Sequence, residues 1–96
     1  MARPDTRAWK RAVAAAERGH ADGNMLEAAR ASALLLLARS VAMGHSRLAV
    51  LRLLVAARVE ADIPTGHWSY CLDHANSSPD PQLRAAYLEA ERLRRA

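Results

Sequence analysis

Four leucines in an unbroken row, Leu34, Leu35, Leu36 and Leu37, constrain this chain more than any other stretch. In a helix each residue advances by about 100°, so four in a row point to nearly every side. A helix that is apolar all round has to be enclosed by protein or by lipid. Lipid fits poorly, because Arg39, His45, Arg47, Arg52 and Arg58 punctuate residues 33–59. A spanning helix wants roughly 20 apolar residues with few or no charges. The pattern predicts instead two antiparallel helices joined tightly at Gly44 and His45, forming the centre of a soluble all-α domain.

Ninety-six residues make a single helical domain. A chain of this size buries roughly 60–65% of its unfolded surface, enough for one modest core. That core is built of small pieces: alanine is abundant, phenylalanine is absent, and only Trp9, Trp68, Tyr70 and Tyr87 carry aromatic rings. Alanine lets helices approach closely but buries little area, so stability leans on self-association. The central hairpin carries more apolar surface than short neighbours can cover. A homodimer is therefore expected, with Leu35, Leu36, Val50, Leu53 and Leu54 at its seam.

The remaining elements follow from start and stop signals. Residues 5–18 read as an amphipathic helix, with Trp9, Ala12, Val13 and Ala16 on one face and Arg7, Lys10, Arg11 and Arg18 on the other. Asn24, with Glu27 three residues on, suits the cap of the next helix, which Gly44 ends. Ser46 suits the start of a third, stopped by Asp62, Ile63 and Pro64. A short helix over residues 65–75 has Trp68, Cys71, Leu72 and Ala75 as its apolar edge. After a loop holding Pro79 and Pro81, Asp80 can cap a last helix whose buried stripe is Leu83, Ala86, Tyr87, Ala90 and Leu93. The expected fold is thus a compact bundle of four to five helices around a central hydrophobic helical hairpin.

No strong motif for chemistry emerges. His67, Cys71 and His74 are spaced i, i+4, i+7 and share one arc of a helix, which makes them a weak metal candidate that fits no standard zinc signature. Cys71 with either histidine could form a thiolate pair, but all three sit on one short helix with no sign of a cleft or an orienting third group. No glycine-rich phosphate loop and no well-placed carboxylate pair is present, so neither catalysis nor a cofactor is expected. A helix-turn-helix reading places Ser40, Val41, Gly44 and Val50 near suitable positions, with Arg47 at the start of the recognition helix. Against it, Arg39 and His45 stand where such units want apolar residues, and the reading helix is too apolar.

The formal net charge is +4, which permits a polyanionic partner without requiring one. The expectation is a small regulatory or inhibitory interaction module that binds an acidic protein surface through a basic helical face. Arg7, Lys10, Arg11, Arg18, Arg47 and Arg58 are its contact residues. The alternative is a transcriptional regulator that binds nucleic acid with the same arginines. A membrane partner is not expected, because the apolar face of residues 5–18 is mostly alanine. One cysteine and an opening segment interrupted by Arg3, Arg7, Lys10 and Arg11 point to the cytoplasm.

Overall fold

A computed structural model describes residues 23–96. They form four helices, and no strand occurs among the described residues: α1 (Gly23–Ala42), α2 (Ser46–Arg58), α3 (Thr65–Ser77) and α4 (Pro81–Arg95). The candidate helix over residues 5–18 lies outside them.

The leucine row divides as the 100° step requires. Leu36 and Leu37 are buried, Leu34 is half-buried, and Leu35 is exposed. One side of the row is thus not enclosed among the described residues, because α1 packs on α2, touches α3 and does not reach α4. Helix α2 is the hub, in contact with all three other helices. Ala49, Val50, Leu53, Ala56 and Ala57 vanish into the interior from its several sides. The main core joins Leu37 of α1 and Val50 and Leu53 of α2 to Trp68, Cys71 and Ala75 of α3 and Leu83, Ala86, Tyr87 and Ala90 of α4. A smaller cluster of Ala33, Ala56 and Val59 closes the far end of the hairpin. The Trp68 and Tyr87 rings meet edge to face, centroids 6.0 Å apart, an arrangement the ring quadrupoles favour.

Two helix ends close on the same hydrogen-bond pattern. At the end of α1 the His45 amide donates to the Ser40 carbonyl and the Gly44 amide to Val41. At the end of α2 the Ala61 amide donates to Ala56 and the Glu60 amide to Ala57. Both are Schellman turns, which need one residue in the left-handed region. Gly44 fills that place at φ 70°, as its position after the apolar run implies. Glu60 fills it at φ 59°, where a side chain is strained. Helix α2 therefore stops before Asp62-Ile63-Pro64. Arg30 braces the turn: its Nε–H donates to the Val59 carbonyl at 2.8 Å, and its guanidinium lies 3.5 Å from the Glu60 carboxylate.

The starts agree less well with the sequence. Helix α1 already runs at Gly23, so Asn24 and Glu27 lie within it instead of marking its cap. Ser46 is the first residue of α2, and the preceding His45 makes no side-chain capping bond. Asp80 does cap α4, its Oδ1 accepting from the Gln82 amide at 2.9 Å with Pro81 in the first turn. The stripe expected on α4 is the one buried, with Leu93 half-buried. On α3, Trp68, Cys71 and Ala75 are buried, but Leu72 is exposed.

Candidate functional site

From residue 28 to residue 59 the chain carries Arg30, Arg39, Arg47, Arg52 and Arg58 and not one aspartate or glutamate. Past Glu27, the hairpin of α1 and α2 therefore carries no acidic residue of its own. Two of its arginines are neutralised from outside: Arg30 by Glu60, and Arg47 by Asp80, whose carboxylate also holds the cap of α4. Arg39 and Arg52 meet no carboxylate among the described residues.

Those two cations border the same indentation at the turn end of the hairpin. It measures about 230 Å³ and is lined by Leu36, Arg39, Ser40, Met43, His45, Leu48 and Arg52. Its floor is fixed by packing: Leu36 is buried, and the Ser40 hydroxyl donates back to the Leu36 carbonyl at 3.0 Å. That bond satisfies a buried hydroxyl without a partner helix. Its rim is apolar and open, with Met43 56% and Leu48 39% exposed. A shallower surface continues from His45 and Leu48 over Arg47 to Leu51, itself exposed. The Arg52 Nε–H is sealed from solvent and finds no acceptor. A buried donor left unmade costs about 1–3 kcal/mol, so the side chain sits in the free protein with a bond unspent.

A second indentation, about 400 Å³, lies at the opposite end between the α2–α3 connection and the end of α4. It is larger, but Glu60 and Asp62 stand there beside Arg94, so its charges are mixed. The Trp68 face is already covered by the Arg94 guanidinium, 4.7 Å from the ring centroid. The hairpin end has the stronger claim, because one indentation there gathers two cations with no carboxylate partner among the described residues beside exposed apolar side chains.

The expected site residues fall as follows. Arg7, Lys10, Arg11 and Arg18 lie outside the described residues. Arg47 and Arg58 are exposed on α2, on the side that faces α4: Arg47 reaches Asp80, and the charge of Arg58 acts on Glu89. Of the expected dimer seam, Val50 and Leu53 are fully enclosed in the protomer's own core, Leu36 is buried, and Leu54 is half-buried against that core. Leu35 is left as the outward member. The reason is that α3 and α4 cover more of α2 than a hairpin considered alone suggests.

His67, Cys71 and His74 do not converge. Among the described residues no three His, Cys, Asp or Glu side chains are grouped to hold a metal ion. Cys71 turns into the core, and burial pushes its thiol up to about 11. A nucleophilic cysteine needs the opposite shift. The His74 ring packs on Tyr70, centroids 4.3 Å apart, while the His67 Nδ1 is buried without a partner. No helix among the described residues is long and apolar enough to cross a membrane.

Arg39 and Arg52 are not among the contact residues that the sequence suggests. The signal was present as an absence: the missing carboxylates of residues 28–59 leave these two arginines nothing nearby in sequence to pair with. No protein family, no curated protein and no solved structure matches this chain.

Proposed function

We propose that this protein is a non-catalytic interaction module, regulatory or inhibitory in effect, that binds an acidic protein surface through its basic hairpin. One observation carries the proposal. The turn end of the hairpin presents Met43 and Leu48 beside Arg39 and Arg52, with no carboxylate of the described chain to satisfy those cations. Apolar surface supplies affinity, and unpaired charge selects a partner of opposite sign. The arginines and lysine of residues 7–18 add to the positive charge of the chain. The setting is the cytoplasm, where Cys71 stays a thiol.

The nucleic-acid alternative has less behind it. A reading helix offers one long polar side to the major groove. Helix α2 is packed by three neighbours, and Leu48 and Leu51 interrupt its exposed positions. Titration separates the two. Acidic amphipathic peptides are expected to bind saturably and to lose affinity when Arg39 and Arg52 are both replaced by glutamate. Sequence-selective binding to duplex DNA that survives a rise from roughly 50 to 200 mM salt would reverse the choice.

A homodimer belongs to the same proposal, with Leu35 on the open side of α1 as its centre. Light scattering should give twice the 10.5 kDa chain mass, and Leu35→Glu should shift it toward the monomer. A monomeric mass at high concentration would remove the dimer.

A further inference from the structure

We propose that the indentation at the turn end of the hairpin is a carboxylate-anchoring subsite. It takes one aspartate or glutamate side chain of an acidic amphipathic helix, bonded by Arg52 and flanked by Met43 and Leu48. This rests on the interaction role proposed above and names the chemistry by which the partner is held.

A guanidinium binds a carboxylate most firmly through two parallel N–H bonds. One such pairing uses the Nε–H together with an adjacent Nη–H. In Arg52 the Nε–H is the donor left without an acceptor, and the side chain borders the indentation. A small turn of that half-buried side chain toward an incoming carboxylate satisfies the donor and pairs the charge at once. Arg39 brings a second unpaired guanidinium to the same walls, and His45 stands at the turn between the helices. No aspartate or glutamate lines the indentation to compete.

The rim selects among anions. Met43 and Leu48 are exposed apolar side chains, and Leu36 forms the floor. They give contact area to an aliphatic stem and none to a bare oxyanion. A phosphate backbone would meet cations separated by methionine and leucine, with most of the rim surface wasted. An acidic side chain with an apolar neighbour one helical turn away fits both halves of the site.

The Arg52 Nε–H resonance in a ¹⁵N–¹H spectrum, assigned by its loss in Arg52→Gln, reports the bond directly. Hexanoate is the probe, with acetate and inorganic phosphate as controls. Hexanoate should move that resonance downfield and saturate at roughly millimolar concentration, as a ligand of so few atoms allows. Acetate should bind several-fold more weakly, and Leu48→Ser should bring hexanoate down to the level of acetate. An unmoved resonance overturns the subsite, and so does phosphate binding as tightly as hexanoate, which would mark plain anion attraction or a phosphate-backbone partner. Unchanged amide spectra show that the two variants stay folded, as expected for side chains that are not fully enclosed. Acidic-peptide binding undiminished in Arg52→Gln would sink the subsite and leave the interaction role standing. A hexanoate response without peptide binding would sink the interaction role and leave the subsite.

Discussion

Gly44 and Glu60 perform the same backbone task with different side chains, and the difference is measurable. Each sits in the left-handed region after a helix, Gly44 at φ 70° and Glu60 at φ 59°. A Cβ at Gly44 would meet nothing within 4 Å, so only the backbone conformation opposes one. Gly44→Ala should therefore cost about 1 kcal/mol, or a fall in Tm of about 4–8 °C for a domain of this size. Glu60→Gly should act the other way, raising stability by up to about 1 kcal/mol. The ion pair it gives up, Arg30 with Glu60, is largely exposed and contributes little. Thermal and urea unfolding of the two variants check both signs. Asp80 gives a pH dependence. Its acceptance of the Gln82 amide, then its bond to Arg47, hold its carboxyl below the usual range. With the folded pKa below the unfolded one, the stability contributed by the cap is complete above roughly pH 4 and is lost as pH falls through the folded pKa. Asp80→Asn should flatten that part of the acid limb, and an unchanged acid profile would show that the pairing adds nothing.

Among the elements, α2 bears most of the fold's stability on one side and the exposed apolar surface on the other. Leu53 is fully enclosed between the neighbouring helices, while Leu51, two residues before it, is 40% exposed. Leu53→Ala should cost about 2–5 kcal/mol, whereas Leu51→Ala should cost under about 1 kcal/mol. Equal losses in urea unfolding would contradict the central placement of α2. Much of this was legible in the sequence. The apolar run, Gly44 and the Asp80-Pro81 pair mark the hairpin, its turn and the start of α4, because each rests on a local rule. The stop of α2 was not legible, because glutamate carries no signal for a left-handed turn, and the turn is braced by Arg30, thirty residues earlier. Nor could periodicity apportion the faces of α2. Val50 and Leu53 were equally suited to a dimer seam or an internal core, and only the arrival of α3 and α4 decides between them.

For the whole molecule, the distribution of charge outweighs its sum. The net charge of +4 is modest, yet residues 28–59 hold five arginines without a carboxylate, while Arg92 and Arg95 on α4 are paired within their own helix to Glu89 and Glu91. The bidentate Arg92–Glu89 pair, at 2.9 and 2.6 Å, removes that cation from competition for a partner. Thus α4 pairs two of its four arginines within the helix, whereas Arg39 and Arg52 at the hairpin end pair with no carboxylate among the described residues. The candidate site was legible only as composition, since the convergence of Arg39 and Arg52 depends on the antiparallel return of α2 along α1. The most direct test is amide chemical-shift mapping of an acidic amphipathic peptide onto the full chain. Binding through the hairpin predicts that the largest shifts fall between residues 36 and 52, around Arg39, Met43, Leu48 and Arg52. Shifts centred on Arg84, Arg92 and Arg95 of α4, with the hairpin silent, would contradict it.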